Sequence, residues 1–294
     1  MNSILSFLPL FSAFTWAISG TILKKFKIKN LYLFPAFESC ISFVVLSFVN
    51  FYLNRWNEFF SYNSEIYISF GISYSLSALG MIIYIQAIKK TELGIVFTLA
   101  TSIQVLIIAV LDKYINLLQF STLFTIGAMS IILGVIAINY PHLKSLKNRQ
   151  QDRNNLIGIM ASLLCGTFWA ANAFIADRTL NSSSVIDATM IRTILTFIYF
   201  IPINLFQYNE IKLTTTKKEI KYLIISALFV TISMLIWNGS LKVNTGSWTT
   251  VLSSSAPIFA LTLGYIFLKE KLKSNEFTGI FICLSGVLLI ILSK

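Results

Sequence analysis

Ten apolar runs separated by short polar breaks leave this chain little choice of solvent. They fall at about 4–23, 31–53, 66–88, 93–111, 120–138, 156–175, 188–206, 222–241, 247–267 and 277–292. A helix needs about 20 mostly apolar residues to cross a bilayer with every backbone N–H and C=O satisfied internally. Strands of a membrane barrel would be about ten residues long and would alternate polar with apolar, which these runs do not. With 56% hydrophobic and only 12% charged residues, the chain lacks the charge to cover a water-facing surface. The expected fold class is an all-α integral membrane protein with ten transmembrane helices. The first run lacks a basic leader, and Lys24, Lys25, Lys27 and Lys29 follow it in place of a small-residue cleavage site, so it reads as a span and not a cleaved signal.

One long hydrophilic stretch, 139–155, carries Lys144, Lys147, Arg149 and Arg153 against the single acid Asp152. It reads as a linker between a first five-helix half, 1–138, and a second, 156–294. The halves resemble each other at a separation of 152 to 153 residues. Trp16-Ala17 matches Trp169-Ala170, Ile88-Lys89 matches Leu241-Lys242, Gly94 matches Gly246, and Gly127 with Gly134 matches Gly279 with Gly286. A shared offset over most of each half points to internal duplication. Because five is odd, the second copy enters the membrane from the opposite face, so the expected architecture is two inverted five-helix repeats. Secondary transporters use this plan, with a midplane site between the repeats.

Lys and Arg in short loops set orientation. The breaks after runs 1, 3, 5, 7 and 9 hold 17 basic residues, while the termini and the other breaks hold Arg55, Lys113, Arg178, Lys242 and Lys294. The alternation supports the helix count. It places the basic breaks in the cytoplasm and both termini outside, in a bacterial inner membrane.

The net charge of +11 is spread between apolar runs and forms no basic face for nucleic acid. Cys40, Cys165 and Cys283 lie inside apolar runs at no metal-ligand spacing, and the lone His142 is in the linker. No P-loop, HExxH, GxSxG or paired-carboxylate motif is present. The expectation is therefore no enzyme, no cofactor and no metal.

An ionisable side chain inside a span costs about 2.5–3.5 kcal/mol on insertion scales and normally faces a partner in the bundle interior. Glu38 and Arg192 are placed this way. They are repeat-related positions in helices 2 and 7, able to meet near the pseudo-twofold axis either as a fixed ion pair or as lining of the pathway. Trp16, Trp169, Trp237 and Trp248 fit a stacking pocket or an interfacial aromatic belt. Tyr84, Gln86, Asn172, Asn238 and the run Ser253-Ser254-Ser255 are neutral polar groups at membrane depth, serving substrate contact or helix-to-helix hydrogen bonding. Pro9, Pro35, Pro202 and Pro257 lie within or at the start of spans, and Pro257 follows the serine run, whose hydroxyls can satisfy freed carbonyls or face a cavity. Runs 5 and 10, with paired glycines suited to close packing, are expected at the periphery of an aromatic-lined cavity.

The stretch from Ala256 to Leu288 resembles the drug/metabolite transporter superfamily, specifically its ten-helix EamA-type members. Pro257, Glu270, Gly279 and Gly286 fit the family's spacing, Trp169-Ala-Ala-Asn-Ala-Phe174 resembles its Trp-Gly-Ser-Asn-Phe segment, and Arg192 sits where its second helix often has Arg. The first half departs: Leu118 stands where Glu would pair with Glu270, and Gln104-Val105 replaces the proline. The family is usually drawn with cytoplasmic termini, opposite to the loop charges. The resemblance implies a secondary transporter of a small organic metabolite. Amino acids or related compounds are the favoured substrates, and proton coupling would rest on Glu38 or be absent. The lipid bilayer is the other partner, nucleic acid is none, and the chain is expected to act as a monomer or weak homodimer. The alternatives are a membrane-embedded enzyme or lipid-handling protein, which would need a catalytic cluster near one interface, and a passive channel, which would need one continuous polar helix face.

Overall fold

The computed structural model describes residues 3–26, 32–91, 93–148, 153–206, 217–269 and 274–293. Glu270, Asp152 and the basic residues Lys27, Lys29, Arg149 and Lys271 lie outside these. A 3-10 turn, Ser3–Phe7, leads into α1 (Leu8–Phe26). It is followed by α2 (Leu33–Tyr52), the short α3 (Trp56–Ser61), α4 (Ser64–Lys90), α5 (Leu93–Tyr114) and α6 (Thr122–Asn148). The second half holds α7 (Arg153–Leu180), α8 (Val185–Phe206), α9 (Lys217–Val243), α10 (Gly246–Ser253), α11 (Ala256–Leu268) and α12 (Ser274–Leu292). Ten stretches are long and apolar enough to cross a membrane, α10 and α11 together making the ninth, and the described residues contain no strand. Residues 139–148 of the hydrophilic stretch continue α6, and Arg153 opens α7.

The break in the ninth span follows from its sequence. Pro257 has no N–H to donate and its ring excludes a preceding helical turn. Upstream, Ser253 Oγ donates to Thr249 O at 2.6 Å, Ser254 Oγ to Val251 O at 2.7 Å and Ser255 Oγ to Leu252 O at 2.6 Å. The three hydroxyls thus bond to carbonyls of the preceding turn at membrane depth. The repeat-related α5, with Gln104-Val105 in place of the proline, runs unbroken.

The most extensive helix pairings join the two halves: α6 with α12, α4 with α7, α1 with α9, α5 with α7 and α2 with α8. Exchanging each span with its mate in the other half converts α4–α7 into α9–α1 and α5–α7 into the α1 contacts with α10 and α11, and α2–α9 into α8–α4. The pairs α2–α8, α5–α10 and α6–α12 map onto themselves. The same twofold is visible at single hydrogen bonds. Ser19 and Ser226 join α1 to α9 at 2.6 Å, and their repeat mates Asn172 and Ser73 join α7 to α4, the Ser73 hydroxyl lying 2.9 Å from both Asn172 Oδ1 and Asn172 O.

Direction is fixed by paired contacts. Along α6 and α12, a Cβ on Gly127 would lie 2.8 Å from Gly286 O, and one on Gly134 would lie 2.8 Å from Gly279 O. The earlier residue of one helix meets the later residue of the other, so these repeat-related helices are antiparallel and the repeats are inverted. The glycines let the two backbones touch, as small residues do between membrane helices. Ile126, Met129 and Leu133 on α6 and Phe281, Leu284 and Leu288 on α12 are exposed, and lipid covers them. The pair reaches the rest of the bundle chiefly through α5 and α11. With ten spans, both ends of the chain lie on one face, called here the terminal face; the opposite face carries the basic breaks.

Candidate functional site

The α2–α8 pair straddles the twofold axis, and its centre is ionic. Arg192 Nη1 donates to Glu38 Oε1 at 3.1 Å; the Glu38 side chain is 3% exposed and that of Arg192 12%. The same Oε1 accepts from Ser42 Oγ at 3.0 Å, and Ser42 is hydrogen-bonded to Thr231 on α9 at 2.6 Å. Burying two charges is costly unless they pair and find further hydrogen bonds, and here both conditions are met on the carboxylate. The guanidinium is different. Among the described residues only Nη1 of its side chain is hydrogen-bonded, which leaves its other donors free, and the side chain keeps 12% exposure. A planar group with unused donors is suited to a carboxylate or phosphate.

Around the pair runs a second polar chain. Tyr74 Oη donates to Asn238 Oδ1 at 3.1 Å, and Asn238 Nδ2 donates to Thr189 Oγ1 at 2.9 Å, one helical turn before Arg192. Tyr74, Thr189 and Asn238 are all buried. The candidate site therefore draws on four helices: Glu38 and Ser42 from α2, Tyr74 from α4, Thr189 and Arg192 from α8, and Thr231 and Asn238 from α9.

The other sequence-selected residues are spread through the bundle. Trp169 on α7 faces Tyr84 on α4 with ring centroids 5.3 Å apart, over Gly80, where a Cβ would come within 2.7 Å of the indole. Trp237 packs against the apolar cluster built around Leu46, Phe70, Tyr74 and Met190. Trp248 stacks on Phe124 at 5.9 Å, in a core that has no member on α2 or α8. Asn172 is buried and held by Ser73. Gln86 is exposed and donates to Tyr32 Oη. Trp16 is half-buried on α1, and Ser254 lies at the break in the ninth span.

Sequence reasoning missed three aspartates at the terminal face. Asp112 and Asp187 are fully buried and Asp177 is half-buried. Asp112 Oδ2 accepts from Ser247 N at 2.7 Å and from Ser247 Oγ at 2.5 Å, while its Oδ1 accepts from Asn116 Nδ2 at 2.8 Å. Asp177 Oδ2 accepts from Gly246 N at 3.1 Å. Asp187 Oδ2 accepts from Arg55 Nη2 at 3.1 Å and from Tyr62 Oη at 2.7 Å. Burial, then the hydrogen bond to Asp187, pushes the Tyr62 phenol above its usual range, which keeps it protonated as a donor. The dipeptides Asp112-Lys113 and Asp177-Arg178 read as wet helix ends, yet only the bases point outward. A usable signal was their place within three residues of the end of an apolar run.

Comparison with known proteins bears on this architecture. Residues 156–292 match the EamA-like transporter family. An uncharacterized protein of Methanocaldococcus jannaschii is 28% identical over 136 residues, 46% of this chain and 97% of that protein. An uncharacterized transporter of Archaeoglobus fulgidus is 22% identical over 73% of this chain and 72% of its own length. The uncharacterized transporter YetK of Bacillus subtilis is 24% identical over 71% of this chain and 62% of its own length. A protein crystal structure superposes with a TM-score of 0.80 over 99% of this chain and 98% of its own, at 12% identity, which supports the fold alone. The family match, the named transporters and the ten-helix inverted bundle agree: the chain is a multi-pass membrane protein whose second half, 156–292, matches the EamA-like transporter family, and it is similar to the transporters of A. fulgidus and B. subtilis.

Proposed function

We propose that the protein carries amino acids or closely related zwitterions across a bacterial inner membrane by alternating access, with Arg192 and Glu38 as the charged part of the binding site. The observation that carries this reading is the singly bonded, incompletely buried guanidinium of Arg192 beside a buried carboxylate between the repeat-related helices α2 and α8. A zwitterion offers a carboxylate to the free donors of Arg192 and an ammonium to Glu38, satisfying both charges as the protein pair does. Glu38 is also the group placed to carry a coupling proton.

The packing favours particular moving parts. The twofold relates the cluster of α1, α9, α10 and α11 to the cluster of α7, α4 and α5, with α2 and α8 facing each other between them. Rocking therefore moves clusters assembled from both halves, not the two sequence repeats as blocks. The duplication remains the reading of the domain plan, 1–138 and 156–294 about the 139–155 stretch, and the M. jannaschii relative supports it, being about as long as one half. The test is a thermal-stability screen of the purified protein against amino acids, nucleobases and cationic drugs. A native-state ligand at 100 times its Kd adds about 2.7 kcal/mol. Stabilisation by amino acids is the expected result; stabilisation by nucleobases or lipophilic cations alone would overturn the substrate class.

A further inference from the structure

The twofold that relates the two helix clusters fails toward the ends of the bundle. At the terminal face the clusters meet. Ala176 and Leu180 of α7 share a buried core with Leu241 of α9, and α7 packs on both α9 and α10. Asp177 of α7 and Asp112 of α5 accept from the first backbone N–H groups of α10, those of Gly246 and Ser247, and a Cβ on Gly246 would lie 3.1 Å from Ile108 of α5. The fourth and ninth spans exchange as wholes, but residue by residue the first half of α5 corresponds to α10 and its second half to α11. The twofold therefore carries the terminal contacts to the opposite face as α1 on α4, α1 on the first half of α5, and α11 on that same half. Among the described residues, none of these three is an extensive pairing.

Burial shows the same asymmetry at single positions. Ala173 and Ala176 of α7, Ile108 of α5 and Leu241 of α9 are each at most 1% exposed. Their repeat mates are Gly20 and Leu23 of α1, Ala260 of α11 and Ile88 of α4. Gly20 and Ala260 are exposed, Leu23 and Ile88 are only half-buried, and a Cβ on Gly20 would meet nothing within 4 Å. Adjacent mates do match: Ala17 and Ala170, like Ser19 and Asn172, are all buried. Repeat mates face equivalent neighbours, so a buried residue with an exposed mate marks a helix that has closed on one face and stands off on the other.

We propose that this conformation is one of two states of a cycle, shut at the terminal face and open at the face of the basic breaks, and that the opposite state is shut by α1 closing on α4 through Leu23 and Ile88. This rests on the alternating-access reading above. The contact is the repeat image of Ala176 and Leu241, so closing one face buries apolar side chains that opening the other uncovers. Such an exchange keeps two states close in free energy, as a carrier that visits both requires. Gly20, one turn before Leu23, leaves room on α1 for the approach of α4.

Disulfide trapping of the full-length protein in lipid nanodiscs, without substrate, tests this. In a background lacking Cys40, Cys165 and Cys283, the variant Leu23→Cys/Ile88→Cys is oxidised with copper phenanthroline and the bond is scored by peptide mass spectrometry. A disulfide needs Cα atoms about 4.4–6.8 Å apart, a separation that the proposal gives this pair only in the opposite state. The bond is expected to form, and with it hydrogen–deuterium exchange of the peptide covering 244–250, at the terminal face, is expected to rise about fivefold and to fall again on reduction. No bond between 23 and 88 overturns the closing contact, and a bond that leaves 244–250 unchanged overturns the link between the two faces. If the double variant does not fold, single variants decide: a water-soluble maleimide should react at least about tenfold faster with Leu23→Cys and Ile88→Cys than with Ala176→Cys and Leu241→Cys, and equal rates would overturn the assignment of the open face. No ligand is involved, so failure here leaves the amino-acid reading to the ligand screen, which can fail without touching the assignment of the state.

Discussion

Arg192 Nη1 lies 3.1 Å from Glu38 Oε1, joining two helices that are each other's repeat mates. Removing one member of a buried pair leaves an uncompensated charge and typically costs about 3–5 kcal/mol, whereas removing both costs much less. Glu38→Leu and Arg192→Leu are therefore each expected to lower the melting temperature strongly, and the double variant to recover most of the loss. Thermal unfolding in detergent measures the cycle. Additive losses would show that the two charges are not coupled.

The seam between α6 and α12 should tolerate nothing larger than glycine. A Cβ on Gly134 would run into Cys283 Sγ and lie 2.8 Å from Gly279 O, and one on Gly279 would lie 2.7 Å from Gly134 O. Backbone cannot yield as a flexible side chain can. Gly134→Val and Gly279→Val are each expected to destabilise by about 1–3 kcal/mol. Gly20→Ala, with open space around its Cα, is expected to be neutral in the same melting assay.

The two symmetry-related polar seams should respond unequally. At Ser73, truncation to Ala leaves the buried Asn172 Oδ1 without its donor, and an orphaned buried acceptor costs about 1–3 kcal/mol. At Ser19, truncation leaves Ser226 Oγ able to donate to Ser19 O, now at 3.2 Å, and costs less than about 1 kcal/mol. Comparable melting shifts for Ser73→Ala and Ser19→Ala would contradict this ordering.

Much of the fold was legible because bilayer crossing imposes length and apolarity on contiguous residues. The runs read at 66–88 and 188–206 lie within or overlap spans at Ser64–Lys90 and Val185–Phe206. The paired glycines likewise signalled close packing of α6 and α12, because close backbone approach demands particular residues at particular spacing, but not that the two helices pack on each other. Glu38 and Arg192 could be matched because each is a charge far from the ends of its run. The bonding of the buried aspartates was not legible: Asp112 accepts from Ser247 of α10 and Asp187 from Arg55 and Tyr62 beyond α2, and such long-range bonds leave no local pattern. Trp248 shows the reverse limit, since an indole in a packed core reads like one in a pocket.

Orientation follows from loop charge. The basic breaks near Lys24, Lys147, Lys217 and Lys271 are expected in the cytoplasm, because 17 basic residues against five is a large bias for short loops. Single-cysteine variants at these positions, in a background lacking Cys40, Cys165 and Cys283, should resist an impermeant thiol reagent in intact cells. Efficient labelling at position 147 would reverse the orientation.

The most direct measurement is equilibrium binding of a panel of labelled amino acids to the purified wild-type protein and to the Glu38→Leu/Arg192→Leu double variant, once melting confirms that the variant is folded. Losing hydrogen-bonded charge partners at a binding site costs about 2–5 kcal/mol, so the variant should bind its best wild-type ligand at least about 30-fold more weakly, and proteoliposomes containing it should not take that ligand up. Binding and uptake by the folded double variant at wild-type strength would contradict the account, reducing the ion pair to a structural tie between α2 and α8.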